Sequence, residues 1–370
     1  MKTHSVSKGK VTLRQIAEMS GVSVSTASRV LSCNDYPVSD ALRQAVLTNA
    51  RESGYFINHS RFARPTTAHP APSCLAIIIP SFQNPFFTQM IAGAEIAARQ
   101  LGITPIVMSS QRSASWERAQ IRNLIQQKVG MLIISSVDNS ADMLQQYLHE
   151  GGYACVMENS FDQPLKALMA KSDMVEAGLI AANYLLSMGH TSIAFASPPL
   201  VKSSRWMTLD GCRMALARQG LFFAEEDIVS LFDEEESEDS LYEFEAGKLL
   251  AQELLRRNKR YTAVIAVNDM VACGLIYQFQ RAGLRLPEDI SVIGFDNITY
   301  GSIVVPNLTT VDTSAHILGQ KAVELLTQSA QATLSQDNLV ITVPPRLVVR
   351  DSVQRLSPIS ESSGPNVFSK

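Results

Sequence analysis

From residue 74 onward the chain alternates short, unbroken apolar runs with stretches of helical periodicity. The runs are Leu75–Ile79, Pro105–Met108, Met131–Ile134, Tyr153–Met157, Ile193–Ala196, Ala263–Val267 and Ser291–Phe295. Between them lie helix-like segments such as Thr88–Leu101, Glu117–Gln127, Val175–Met188, Phe244–Arg257 and Met270–Ala282. A strand that is apolar on both faces must be covered on both, and the intervening helices supply the cover, so the alternation predicts parallel sheets wrapped by helices. A body of about 280 residues is long for one such sheet, and two α/β lobes are expected over residues 74–354. In open parallel sheets a ligand belongs near the carboxyl ends of the strands, here in the cleft between lobes.

Charge is split along the chain. Residues 1–64 hold nine Lys/Arg against four acids, a net +5, whereas the whole chain carries −3, so the remainder carries −8. A basic end on an acidic body suggests an anionic partner for that end. Its local pattern is helical. Thr12-Leu-Arg-Gln15 reads as a capping box, with Leu13, Ile16 and Ala17 on one face behind it. Gly21 supplies the left-handed conformation of a tight turn, plugged from inside by Val22. A second helix from about Ser23 turns Ala27, Val30 and Leu31 inward, which points Ser25 and Arg29 away from the core at roughly 100° per residue. A third follows Ser39, with Leu42, Ala45 and Val46 inward, and ends near Gly54-Tyr55. Two short helices, a glycine turn and an outward row of small polar residues with one arginine describe a helix-turn-helix. Short side chains let such a helix sit deep in the major groove of double-stranded DNA, and the Arg29 fork matches the O6/N7 edge of guanine. On periodicity alone, a small helical bundle with a solvated Ser/Thr face fits as well.

The residues themselves carry more. Val11 to Leu31, VTLRQIAEMSGVSVSTASRVL, closely resembles the start of lactose-repressor (LacI/GalR) family regulators, and Val38-Ser39, Ala45-Val46 and Gly54-Tyr55 continue the match in register. The resemblance implies that Val24, Ser25 and Arg29 probe base edges, while Thr12, Thr26, Ser28 and Tyr55 hold the DNA backbone. Beyond Tyr55 the family usually has Pro-Asn and then Ala-Arg-x-Leu, a hinge helix whose Leu wedges into the minor groove. This chain departs from it, reading Phe56-Ile-Asn-His-Ser-Arg-Phe-Ala-Arg64. Asn58 retains a helix cap. Arg64 stands where the Leu is expected and suits a narrow, electronegative minor groove, whereas Phe62 is the alternative wedge. Residues 1–57 are thus expected to be the DNA-binding domain and 58–73 a hinge and linker, stiffened by prolines 65, 70 and 72.

In the body, Phe86-Phe87 follow the first strand, Asn268-Asp269 end another, and Asp296 follows Gly294-Phe295. A carboxylate accepts from two adjacent hydroxyls and an apolar ring stacks on a sugar or base, so this array suits a polyhydroxylated or planar ligand. By spacing alone, Asp or Asn at a strand end also serves as a helix cap, and the phenylalanines as core. Ile79–Phe87, Gly189-His190, Asn268-Asp269 with Gly274, Leu286–Asp296 and Pro306–Val311 again resemble the LacI/GalR family, so the similarity runs from about Val11 to Val353. It implies a periplasmic-binding-protein-like (type I) effector domain whose lobes are joined by three crossings, near residues 170, 310 and 335. The positions matching Phe87, Asn268 and Asp296 contact effectors in that family. The family's effector-binding Arg falls on Thr208 here. Arg205, one helical turn earlier, is the substitute candidate, with a surface arginine as the alternative.

Several function classes are excluded or disfavoured. No GxG pair, GxSxG elbow or HExxH occurs, and the six histidines are dispersed, so an enzyme is not expected. Five solitary cysteines form no CxxC, which predicts no metal or other cofactor and suits a reducing, cytoplasmic setting. Met1–Lys10 lacks the apolar stretch of a signal peptide, and Cys74–Ile79, ended by Pro80, is far short of the ~20 residues that span a bilayer. Glu225–Glu245, with eleven acids and no Lys/Arg, reads as a solvated surface loop, and residues 355–370 as a disordered tail. The expectation is a homodimeric, or further tetrameric, sequence-specific transcriptional regulator of the repressor type, which binds operator DNA under control of a sugar, sugar acid or nucleobase. The alternative is a solute-binding receptor with the same two-lobed body.

Overall fold

The computed structural model describes residues 12–32, 38–52, 74–135, 141–157, 167–231, 241–257, 259–331 and 339–356. The chain divides into two units, residues 1–70 and 71–370.

The first unit holds α1 (Leu13–Met19), α2 (Val24–Ser32) and α3 (Asp40–Glu52). The capping box is present: Gln15 N–H donates to Thr12 Oγ1 (3.4 Å) and Thr12 N–H to Gln15 Oε1 (2.8 Å). Gly21 has φ +63°, so a turn that a β-carbon would disfavour joins α1 to α2. The core is Ile16, Ala17, Ala27, Val30, Val46 and Ala50, with Leu13, Val22 and Leu31 packed against it. Ala45, expected inward, is exposed. Among the described side chains of α3 the buried ones are Val46 and Ala50, four residues apart, a stripe that leaves Ala45 outside it.

The second unit is two doubly wound lobes. The first contains β1 (Cys74–Ile79), α4 (Pro85–Gln100), β2 (Thr104–Ser109), α5 (Ala114–Gln126), β3 (Met131–Ile134), α6 (Ala141–His149), β4 (Tyr153–Val156) and β5 (Leu168–Ser172). The chain then builds the second from α7 (Met174–Ser187), β6 (Ile193–Ser197), α8 (Ser203–Ala217), β7 (Ile228–Ser230), α9 (Tyr242–Arg256), β8 (Ala263–Ala266), α10 (Asp269–Arg281), β9 (Ser291–Phe295) and β10 (Thr309–Asp312). It returns to the first lobe with α11 (Ala315–Ala330) and β11 (Val340–Val343), and ends in the second with β12 (Arg346–Val348). The strand orders are β2-β1-β3-β4-β5-β11 and β7-β6-β8-β9-β10-β12, parallel except for the β10–β12 pair. Both sheets are apolar on both faces. In β1, Leu75, Ile77 and Ile79 join a core with α4 and α11, while Ala76 and Ile78 face α5 and α6. Each of these buried Leu and Ile side chains contributes about 1.5–3 kcal/mol.

Three helix pairs pack backbone to backbone. A β-carbon on Gly211 of α8 would strike the Val175 carbonyl of α7, and one on Gly178 of α7 would strike the Thr208 carbonyl. Gly93–Gly319 and Gly247–Gly274 serve α4–α11 and α9–α10 in the same way.

The lobes are joined by three crossings, at residues 172–174, 312–315 and 343–346. The third lies beyond the expected position near residue 335, where the strand that precedes the crossing, β11, has yet to begin. The crossings are tied to one another. Arg346 Nη2 lies 2.9 Å from Asp312 Oδ2, and Ser172 Oγ donates to the Val343 carbonyl (3.4 Å).

Two further expectations change. Within Glu225–Glu245, Asp227 and Glu243 are buried, so the described parts of this acidic stretch are not simply a solvated loop. Asp227 pairs with Lys259, while Glu243 pairs across the lobes. At the other end, Arg355 and Leu356, placed by the sequence at the start of a tail, are held to the second lobe: Leu356 N–H donates to the Met188 carbonyl (2.8 Å) and Arg355 Nη1 to that of Ser187 (3.0 Å).

Candidate functional site

On α2, Ser23 caps the first turn, its Oγ accepting from Thr26 N–H at 3.0 Å. Ala27 and Val30 are buried, and the opposite face carries Val24, Ser25 and Arg29, all exposed, flanked by half-buried Thr26 and Ser28. Val24 is 44% exposed. Thr12 is exposed at the start of α1. The described DNA-binding candidates therefore lie on or beside two helix starts of one small unit. Tyr55, Asn58, Phe62 and Arg64 lie outside the described residues.

In the second unit a cavity of about 140 Å³ opens between the lobes, and Phe86, Phe87, Arg205, Asn268 and Asp296 all line it. In the same measure a single water needs roughly 10–15 Å³, so the space admits a small metabolite. Topology explains the convergence. Each sheet reverses winding direction at its first strand, β1 or β6, and the loops leaving those strands and their neighbours meet at the carboxyl edges. Phe86 and Phe87 open α4, their rings edge to face at 5.3 Å, with Asn84 Oδ1 capping the helix on Phe86 N–H. Phe87 is buried and Phe86 half-buried.

Asn268 caps α10, its Oδ1 accepting from Val271 N–H at 2.8 Å, which leaves Nδ2 for the cavity. The cap and the site are thus the same residue. Asp296 follows β9 with φ +103°, a strained conformation for a non-glycine residue. Its Oδ1 accepts from Thr313 Oγ1 (3.0 Å), a residue of the second crossing, so the candidate-site carboxylate is tied directly to that crossing. Behind it Asp269 is fully buried, accepting from Thr310 Oγ1 (2.6 Å) and Ile298 N–H (2.9 Å). Burial, then the neighbouring Asp296 charge, raise the Asp269 pKa well above the ordinary carboxylate value. Arg205 is buried rather than on the surface, with Nη1 donating to the Pro199 carbonyl at 2.6 Å. Thr208 also lines the cavity, its hydroxyl bonded back to the Ser204 carbonyl (2.9 Å).

Sequence reasoning missed the rest of the lining. Lys171 is the penultimate residue of β5, and Lys202 precedes α8. Glu243 reaches the wall from the first turn of α9, where it meets Arg112 of the first lobe at 2.5 Å and accepts from Asn84 Nδ2 at 3.4 Å. Only the apolar-run boundaries could have pointed to Lys202, since it follows β6 in the position where parallel sheets bind ligands.

Residues 12–58 match the model for bacterial regulatory proteins of the lacI family, and residues 182–353 the model for a periplasmic binding protein-like domain. The chain is 28% identical over 347 residues to the HTH-type transcriptional repressor PurR of Photobacterium profundum, covering 94% of this chain and 99% of the relative. It is 29% identical over 352 residues to the HTH-type transcriptional regulator DegA of Bacillus subtilis, with the same coverage. Among solved structures, the lac repressor dimer bound to operator and the anti-inducer ONPF superposes with a TM-score of 0.73 at 24% identity, over 94% of this chain and 100% of that one. The transcriptional regulator CelR–cellobiose complex gives 0.68 at 23%, over 92% and 99%. With a matched lacI-family region at one end, a matched periplasmic binding protein-like region over residues 182–353 and full-length regulators aligned across both, the chain belongs to the lacI family of bacterial regulatory proteins.

Proposed function

We propose that this protein is a sequence-specific transcriptional repressor whose operator affinity is set by a small molecule held between its lobes. The observation that carries this reading is the pairing, in one chain, of an exposed Ser25/Arg29 face on α2 with an inter-lobe cavity whose carboxylate, Asp296, is bonded to Thr313 of the second inter-lobe crossing. Val24, Ser25 and Arg29 would meet base edges, and Thr12, Thr26 and Ser28 the phosphates, as base readout and backbone positioning require. One short helix offers few base contacts, so a homodimer on a near-palindromic site is the expected functional unit. Tyr55, Asn58, Phe62 and Arg64 complete the proposed DNA-binding set. Phe86, Phe87, Arg205, Asn268 and Asp296 form the proposed effector site.

The effector changes DNA affinity only by binding one lobe arrangement better than another. Lobe movement is felt at the three crossings, and Thr313 relays it from Asp296. The relatives are regulators rather than enzymes, which supports a non-catalytic role. DNA binding in turn supports a cytoplasmic location, and no helix among the described residues is long and apolar enough to cross a membrane. The test is selection of genomic fragments by the purified full chain against excess competitor DNA at moderate salt. Enrichment of a near-palindromic site supports the reading, and uniform recovery of all fragments contradicts it.

A further inference from the structure

We infer that Gln89 is a positioning residue for effector control: through its bond to the Asn297 carbonyl it carries a shift of the loop bearing Asp296 into helix α4 of the first lobe. This rests on the effector-site reading above and deepens it by naming a relay apart from the three crossings.

Two walls of the cavity belong to opposite lobes. Phe86 and Phe87 stand on the first turn of α4, and Asp296 on the loop that follows β9. Gln89, one turn further along α4, ties these walls to each other, its Nε2 donating to the Asn297 carbonyl at 3.2 Å. A molecule seated between the rings and the carboxylate changes the spacing of the two walls, and this bond spans the same gap. On the second-lobe side the loop is held in an unusual shape. Asp296 and Asn297 are consecutive non-glycine residues with left-handed backbones, φ +103° and +52°, a conformation that lasts only where the surroundings fix it. The Asn297 side chain supplies much of that fixing: its Oδ1 accepts from Arg350 Nη2 (2.6 Å) and its Nδ2 donates to Asp312 Oδ2 (3.3 Å). Asp312 belongs to the second crossing and is itself paired with Arg346 of the third. The next residue, Ile298, donates its N–H to buried Asp269 (2.9 Å). Asn297 is thus anchored to the second lobe and the crossings by its side chain, while its carbonyl is presented to the first lobe.

On the first-lobe side the bond meets a stiff body. Gly93, one turn beyond Gln89, lies so close to α11 that a β-carbon there would strike the His316 carbonyl, and α11 begins at the second crossing. Gln89 therefore acts on a helix pair packed backbone to backbone, which passes a displacement on rather than absorbing it. A hydrogen bond made in one lobe arrangement and not in another biases the two by about 2- to 10-fold, a differential stabilisation of the kind effector control requires.

The experiment compares full-length wild type, Gln89→Met, Gln89→Glu and Gln100→Met. Both Gln89 variants keep the length of the side chain and remove the donor, and Gln100, exposed at the end of the same helix, controls for the substitution. Each protein meets a nuclease-treated, low-molecular-weight metabolite extract in two measurements. The rise in melting temperature reports effector binding, and the change in dissociation constant for the selected DNA site reports the response. The inference expects the Gln89 variants to keep the rise and to respond about 2- to 10-fold less than wild type, with Gln100→Met unaltered. A purely structural role would instead lower the melting temperature without extract and leave the response intact. Melts without extract also show whether a variant is folded, and either Gln89 variant alone decides the outcome. A response equal to or larger than that of wild type overturns the inference and leaves the effector site standing. Loss of the temperature rise overturns it too, because Gln89 then belongs to the binding surface, as does an equal weakening in Gln100→Met. Should wild-type DNA affinity not respond to the extract, the effector reading itself fails and the relay with it.

Discussion

Arg112 and Glu243 meet across the gap between the two lobes, Nη2 2.5 Å from Oε2, with side chains 2% and 8% exposed. Arg112 leaves the first lobe on the loop after β2, in a left-handed conformation (φ +60°), and also stacks over the Tyr242 ring at 5.5 Å. Asn84 steadies the second carboxylate oxygen. A buried pair of this kind is worth little against an apolar replacement, but losing one partner strands a charge away from water.

Arg112→Met or Glu243→Leu alone should therefore destabilise this lobe arrangement by about 3–5 kcal/mol, and the double variant by less than either single one. Because opening the lobes rehydrates the stranded charge, small-angle scattering should report a more expanded molecule for the single variants only. Strictly additive losses in denaturant melts would show that the two side chains are uncoupled.

Arg29→Ala should weaken binding to the selected site by about 1–3 kcal/mol and relax preference at one base pair, if the exposed guanidinium meets a base edge as proposed. Competition titrations against single-base variants measure this. An equal loss on random DNA would place Arg29 on the phosphates instead.

Gly211→Ala should destabilise the second lobe by about 1–3 kcal/mol, because the new methyl group falls on the Val175 carbonyl and α7 and α8 must separate. The melting temperature reports the loss. An unchanged value would mean the helices part freely.

His190 is fully buried, with Nε2 3.0 Å from the Gln354 carbonyl and Nδ1 3.0 Å from Thr262 Oγ1. A carbonyl only accepts, so Nε2 carries the proton in the neutral ring. Burial lowers the His190 pKa below its ordinary value of 6.5, outweighing the Gln354 bond, which favours the charged ring. The folded state thus prefers neutral histidine. Its contribution is complete above the unfolded pKa and is lost as pH falls from about 6.5 toward the folded value. Stability of the wild type relative to His190→Asn should accordingly shrink on acidification below that pH. A difference that stays constant down to pH 5, on the order of one and a half units below the unfolded value, would contradict it.

Much of the fold is legible in the sequence because each signal is local. β1, β3, β8 and β9 are unbroken apolar runs whose ends the sequence places to within a residue, and the Thr12–Gln15 box marks the start of α1. β5, LMAKS, escapes because Lys171 and Ser172 interrupt its apolar character at the point where it enters the cavity. β7 is three residues long at a sheet edge, and β12 another three, too short for any period to emerge. In the site, Phe87, Asn268 and Asp296 follow apolar runs in regular positions, and the family resemblance points to them too. Arg112 and Glu243 are 131 residues apart in sequence and leave no local trace, and Glu243 is hidden in an acidic stretch whose average suggests solvent. Pairings made only by the fold, such as Thr313 with Asp296, need the fold to be seen.

The central claim is that occupancy of the inter-lobe cavity sets DNA affinity. The direct test is the dissociation constant of the full chain for its selected site, measured with and without a nuclease-treated, low-molecular-weight metabolite extract, in wild type and Asp296→Ala. The account predicts a shift of about 5- to 150-fold in wild type, and in the variant unaltered site binding that no longer responds. An undiminished response in Asp296→Ala, or no response in wild type to an extract that raises its melting temperature, would contradict the account.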